Sequence, residues 1–161
     1  MPVSNFVITP PESVAAFLRG RRFAVAGVSR QPGQAANAVF RKLKASGHEV
    51  FPINPNAPEI DAGPCYRDVA SVPAPLDGVV IATAPNVAIQ IVRQCGESGV
   101  KCVWFHRSFG TGSVSHEAVR ECDARGLDRI VGGCPMMFCE PVDFPHKCMR
   151  WWLQRQGRVP T

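Results

Sequence analysis

The stretch FAVAGVSRQPGQAANAVF, residues 23–40, constrains the fold more than any other part of the chain. An apolar run breaks at Gly27-Val28-Ser29 and passes through Gln31-Pro32-Gly33-Gln34. It resumes at Asn37 with Ala38, Val39, Phe40 and Leu43 at helical spacing. Strand, glycine turn, helix is how a nucleotide-binding sheet begins. Such a turn sets the N–H groups of a helix start beside a strand end, where an anion can meet them.

The rest of the chain repeats the alternation. The pattern predicts a short amphipathic helix over 11–19, a strand over 22–28, a helix over 37–46 closed by Gly47, and a strand over 49–53. Asn54-Pro55-Asn56 ends that strand, because proline removes a ladder donor. Residues 57–77 are Pro-rich, with room for a short strand at 63–66 and one helical turn at 67–71. A strand over 78–83 precedes a helix over 86–96 whose apolar face is Val87, Ile89, Ile91 and Val92. A strand over 101–106 leads to a Gly-rich loop at 109–113. Ser115 caps a helix that runs to 125 and is closed by Gly126, and the last strand is 127–131.

Continuous apolar strands separated by helices mean an α/β, Rossmann-like, doubly wound parallel sheet of about five strands, with helices on both faces. The expected order is 3-2-1-4-5, the fourth strand being 78–83. Ligands then bind at the carboxyl ends, at the switch point between strands 1 and 4. The 161 residues suffice for one core, so residues 1–161 read as a single domain with its core at 15–140 and a helical extension at 141–161.

No apolar run approaches the roughly 20 residues a membrane helix needs. The start, MPVSNFVITPPES, has neither a basic nor a long apolar region and reads as a lead-in rather than a signal peptide. Seven cysteines, several inside expected strands or helices, fit reduced thiols of a cytoplasmic protein better than a disulfide framework. The net charge of +5 is concentrated at 146–161, where Lys147, Arg150, Arg155 and Arg158 stand without an acid. The reading adopted is a solvated basic tail, with a polyanion or nucleic acid as the alternative partner. A last helix is expected over 146–156, with Cys148, Trp151 and Trp152 on one face packed on the domain. The alternative for that face is a homodimer or other protein contact.

The first turn departs from the dinucleotide fingerprint. It is Gly27-x-Ser29, with Gly33 one residue late, and the second strand ends without the acid that would hold a ribose. Both departures weaken a nicotinamide reading. The amides near Ser29 and Arg30, and those near Ala36 and Asn37, would still face an anion, and Arg30 adds a charge-assisted contact. The plainer alternative is an ordinary β–α turn. The other strand ends, Thr83-Ala84-Pro85-Asn86, His106 before its Gly-rich loop, and Gly132-Gly133-Cys134-Pro135, each carry small residues, proline or glycine and offer no catalytic constellation.

Cys134, Cys139, His146 and Cys148 form a C-x4-C-x6-H-x-C cluster that matches no standard metal module, so no metal is expected. Cys134, just past a strand end, reads as a buried thiol, with a mixed disulfide to a thiol ligand as the alternative. His106 has no carboxylate nearby in sequence and reads as a ligand-contacting strand-end residue rather than an acid–base.

Taken together, AVAGVSRQPGQAANAVFRKLKASGHEVFPINP, VVIATAP, KCVWFH and GGCPM resemble the coenzyme A-binding domain family, over roughly residues 15–140. That family is the stand-alone relative of the N-terminal domain of succinyl-CoA synthetase alpha subunits. The strand end IATAPN and the loop HRSFGTGS are similar to the synthetase form. The resemblance implies that Gly27, Val28, Ser29 and the helix start near Asn37 hold the coenzyme's phosphates. It implies that Asn54 and Pro55 face the adenosine, and that Thr83, Ala84, Pro85 and Asn86 line the pantetheine path. The synthetase's phosphohistidine domain has no counterpart in this sequence, so ligase activity is not carried over. The expectation is a protein that binds coenzyme A or an acyl-CoA without chemistry of its own. The alternatives are an NAD(P)-binding redox sensor, or an enzyme acting on CoA thioesters through Cys134 or His106.

Overall fold

The computed structural model describes residues 10–160; the lead-in read over residues 1–9 lies outside them. In chain order the elements are α1 (Glu12–Leu18), β1 (Arg22–Ala26), α2 (Ala35–Ala45), β2 (Glu49–Ile53), β3 (Glu59–Ile60), β4 (Gly63–Pro64) and β5 (Gly78–Ile81). They continue with α3 (Pro85–Glu97), β6 (Cys102–Phe105), α4 (His116–Arg125), β7 (Asp128–Val131), a 3-10 turn (Pro135–Met137) and α5 (Phe144–Arg155).

The main sheet is parallel throughout, in the order β2-β1-β5-β6-β7. Ala26 stands opposite Ile53 on one side and Ile81 on the other, so the chain reverses direction between β1 and β5, as the sequence predicts. The expected third strand, 63–66, meets the main sheet only through a parallel bridge from Tyr66 to Ile53, while its first two residues are β4, paired with β3 in a hairpin. Proline at 58 and 64 limits further pairing there. The helical turn expected at 67–71 is a bend, because the Asp68 carboxylate accepts from the Ser71 amide (2.8 Å) and hydroxyl.

Helices cover both faces. Residues of α1, α2, the 3-10 turn and α5 build one core layer with Phe23, Val25, Trp104 and Ile130. Residues of α3 and α4 build the other with Ala24, Ile81, Val103 and Phe105. Alternate residues along β1 and β6 therefore enter opposite layers, which is why these strands are apolar without a break. Phe17 stacks on Phe23 (4.7 Å between centroids) and meets Trp104 edge-on (5.4 Å). Ser115 caps α4 by accepting from the Ala118 amide, and Gly126 ends it at φ +65°.

Two expectations about faces are corrected. Val87 is 40% exposed, while Ala88, Ile89, Ile91, Val92 and Cys95 make the buried side of α3. The helix starts at Pro85, which turns Val87 out toward the sheet edge. On α5 the buried residues are Arg150 and Leu153, whereas Trp151 and Trp152 are 50% and 45% exposed and Cys148 is exposed. Nor is the basic tail all solvated. The Arg150 guanidinium stacks over Phe138 (4.6 Å), Arg155 over Trp151 (4.2 Å), and Arg158 donates to the Gly110 carbonyl (3.4 Å).

Candidate functional site

The β1–α2 connection is built around two residues. Gly27 has φ +102°, and a Cβ there would lie 2.4 Å from the Ala82 carbonyl oxygen, so only glycine lets the turn pass this close to the end of β5. Asn37, in the first turn of α2, is 3% exposed and points inward. Its Oδ1 accepts from the Ser29 amide (2.9 Å) and its Nδ2 donates to the Ser29 carbonyl (2.7 Å). The Ser29 hydroxyl accepts from the Gln31 amide (3.2 Å).

This refines the expected set of anion-facing amides. Those of Ser29 and Asn37 are satisfied inside the protein, the latter by the Gln34 carbonyl (3.1 Å). The helix begins two residues earlier than the spacing suggested, at Ala35, and Gln34 supplies no side-chain cap. The amides of Ala35 and Ala36 have no partner among the described residues. An uncapped helix start with free N–H groups carries a partial positive charge.

Asn54 performs a similar bracing task from β2. Its Nδ2 donates to the Val28 carbonyl (2.9 Å), its Oδ1 accepts from the Asn56 amide (2.8 Å), and its own amide donates to the Tyr66 carbonyl (2.8 Å). Val28 itself is fully buried, so only its backbone serves the turn.

Two hollows flank the turn. One, of about 810 Å³, is lined by Gly27, Asn54, Pro55, Thr83, Ala84 and Val87, and extends along α3 to Gln90 and Gln94. The other, of about 360 Å³, is lined by Ser29, Arg30, Pro32, Asn37 and Arg41 and by the β3–β4 hairpin. Arg41 pairs with both carboxylate oxygens of Asp61 (2.9 and 3.0 Å), and that guanidinium holds the Asp61 carboxyl below the usual range. A third hollow, of about 890 Å³, lies at the opposite edge of the sheet beside Phe17, Gly20, Asp77 and Asp128. The amino ends of parallel strands present no helix N-termini, so the carboxyl edge holds the candidate site.

Of the predicted site residues, Gly27, Asn54, Pro55, Thr83 and Ala84 share the larger hollow, and Ser29, Arg30 and Asn37 the smaller. Ala36 is buried at the start of α2; Pro85 and Asn86 open α3 beside Ala84. His106 and Cys134 line neither hollow. His106 is 9% exposed, and burial holds its imidazole below the ordinary value. Cys134 is 3% exposed in the core, and burial pushes its thiol up to about 11. Among the described residues no group of three or more His, Cys, Asp or Glu is placed to hold a metal.

Sequence reasoning missed Ser113, Arg41 and the glutamines of α3. Ser113 is 2% exposed, and its hydroxyl donates to the Thr83 carbonyl (2.7 Å), tying the loop after β6 to the end of β5. Val87, Gln90 and Gln94 fall at i, i+3 and i+7 of one α3 stripe, a periodicity the sequence displays.

The sequence model of a family described as CoA binding domain matches residues 21–140. Over 106 residues the chain is 32% identical to the alpha subunit of acetate–CoA ligase (ADP-forming) II of Pyrococcus furiosus, covering 65% of this chain and 23% of that subunit. The chain spans less than a quarter of the length of the ligases it matches. Among solved structures, a hypothetical protein from Pyrococcus horikoshii OT3 superposes with TM-score 0.75 at 28% identity, over 83% of this chain and 92% of that one. The apo form of the dinucleotide-forming acetyl-coenzyme A synthetase 1 of Ca. Korarchaeum cryptofilum gives TM-score 0.58 at 29% identity, over 71% of this chain and 26% of that one.

Proposed function

We infer function from one premise: the chain belongs to the CoA-binding domain family. On that premise the chain binds coenzyme A or an acyl-CoA at the β1–α2 turn and performs no chemistry of its own. The observation that carries the binding mode is the uncapped start of α2, opening beside Arg30 and Arg41. The pyrophosphate meets the amides of Ala35 and Ala36, with Arg30 of the adjoining hollow adding a charge-assisted contact. The adenosine lies against Asn54 and Pro55. The pantetheine arm follows Thr83, Ala84, Pro85 and Asn86 along the larger hollow, with Val87 as its apolar wall. Asn37 and Asn54 act as positioning residues, since their polar atoms hold the turn's backbone.

Two features support binding without turnover. A nucleophilic thiol must ionise, and Cys134 is buried with its thiol pushed up to about 11. A general base must reach its substrate, and His106 is nearly covered. The CoA ligases among the relatives are several times longer, so their reaction is not assigned to this chain.

A thermal-shift panel with coenzyme A, dephospho-CoA, NAD, NADP and ATP tests the reading. Ligand at about 100 times its Kd adds ~2.7 kcal/mol, or roughly 5–11 °C in Tm for a chain of this size. A shift with coenzyme A and not with NAD or NADP is expected. A shift with the nicotinamides alone overturns it. Hydrolysis of acetyl-CoA above background, lost in Cys134→Ser or His106→Ala, overturns the non-catalytic part.

A further inference from the structure

The helix α5 exposes a face that the described residues of its own domain leave uncovered. Phe144 is 78% exposed, Trp151 50% and Trp152 45%, and Phe109, from the loop after β6, is 58% exposed against Trp152 (6.0 Å between centroids). Phe144, Cys148, Trp151 and Arg155 lie at i, i+4, i+7 and i+11, a single stripe, and Cys148 is the exposed cysteine. Aromatic side chains bring 150–250 Å² each, so the four leave on the order of 500 Å² of aromatic surface in water. That is near the top of what a monomer shows, and such patches mark interaction sites. All but Phe109 lie past residue 140, outside the segment shared with the family.

We propose that α5 is a self-association face on which a second copy of this chain packs antiparallel about a two-fold axis. Two properties select this occupant. The stripe is complementary to its own reverse. Centred on the helix midpoint, an antiparallel pair sets Phe144 opposite Arg155 of the second copy, and Cys148 opposite its Trp151. Each contact joins unlike groups: a ring with a guanidinium, and a small side chain with a large one. Arg155 already stacks on Trp151 within its own helix, so its planar face is turned to aromatic partners.

Charge selects the direction. Residues 144–160 hold Lys147, Arg150, Arg155 and Arg158 and no acid. A parallel pair would set Arg155 against its own copy. The antiparallel pair separates them by roughly 16 Å at 1.5 Å per residue, beyond the Debye length of about 8 Å at physiological salt. Two such patches supply on the order of 1,000 Å² of aromatic surface, about the threshold for a specific interface, so the dimer belongs to the weak class. Because Phe109 sits in the loop that Ser113 ties to Thr83, the second copy also braces the β6 side of the sheet edge.

Sedimentation velocity on the whole chain, from 1 to 200 μM under reducing conditions, tests this. The wild type is expected to pass from monomer to dimer, and Trp151→Ala/Trp152→Ala to remain monomeric with an unchanged circular dichroism spectrum. Phe144→Lys sets a cation opposite Arg155 of the second copy and should weaken association at least tenfold. Phe144→Lys/Arg155→Glu should restore it, because the new charges meet only across the antiparallel interface; within one helix they stand too far apart to pair. A wild type monomeric throughout the range overturns the proposal. So does a dimer indifferent to the tryptophan pair, or a failed restoration in a folded double variant. Binding to vesicles of phosphatidylcholine and phosphatidylglycerol by a monomeric wild type would assign the face to an anionic membrane surface and equally overturn it.

Discussion

The carboxyl edge of the sheet has two halves, and they are finished differently. Around β1, β2 and β5 the edge is open. Its polar side chains Asn37 and Asn54 turn inward and spend hydrogen bonds on backbone, leaving two open hollows beside the turn. Around β6 and β7 the edge is filled. His106 and Cys134 are buried, the Trp104 indole donates to the Gly132 carbonyl (2.8 Å), and Pro160 lies over Gly133. The sequence alone suggests one continuous site along all the strand ends. The structure separates an open half, flanked by two hollows, from a half packed with buried side chains. Residues of the open half should therefore govern ligand affinity, and those of the filled half stability alone.

The sharpest way to break this division is to deform the turn that creates the open half. Gly27→Ala would drive a Cβ to 2.4 Å from the Ala82 oxygen at a φ of +102°. We expect a loss of at least about 3 kcal/mol in urea unfolding and no measurable coenzyme A binding in what remains folded. Gly33→Ala is the matched control. Its φ is +84° but nothing lies within 4 Å of the added carbon, so the cost is about 1 kcal/mol of backbone strain with affinity nearly intact. Equal losses from the two would mean that the close approach to β5 does not matter.

A smaller effect separates bracing from ligand contact. Asn37→Ala leaves the Ser29 amide and carbonyl without their partner and should cost roughly 2–3 kcal/mol. Calorimetry should show coenzyme A bound at least tenfold more weakly, because the turn is no longer held. Asn37→Asp keeps the acceptor for the Ser29 amide but loses the donor to its carbonyl, so it should fall between wild type and alanine in both measurements. Unchanged affinity in Asn37→Ala would remove this residue from the site.

The strand order, the switch point and the β1–α2 turn were legible because each rests on local chemistry: unbroken apolar runs, a glycine at the strand end, helices punctuated by Gly47 and Gly126. The direction of side chains was not. Val87 looked like core because it is apolar beside Ile89, yet the start of α3 at Pro85 rotates it to the sheet edge. Asn37 looked like a helix start that meets a ligand, yet two hydrogen bonds eight residues back draw it inward. Trp151 and Trp152 looked like packing residues because buried tryptophan is the usual case, but the turn of α5 that meets the domain is set by Leu153 and Arg150. In each case a tertiary partner decides between faces that periodicity leaves equivalent.

His106 gives the mildest test, and it probes the filled half directly. Burial holds its imidazole below the ordinary value near 6.5, so the folded protein binds this proton less readily than the unfolded chain does. Above about pH 6.5 the residue is neutral in both states and costs nothing. As pH falls below that value the unfolded chain takes up the proton first, and the folded state loses stability progressively toward the lower folded pKa. His106→Gln cannot titrate, so urea midpoints of the two proteins should run parallel from pH 8 to 7 and diverge below 6.5, the wild type falling faster. The other histidines are common to both proteins and cancel in the difference. Because His106 lies in the filled half, coenzyme A affinity at pH 7.5 should change less than twofold in the variant. A large loss of affinity would move the boundary between the two halves from the β5–β6 step to beyond β6, and would place the imidazole at the ligand after all.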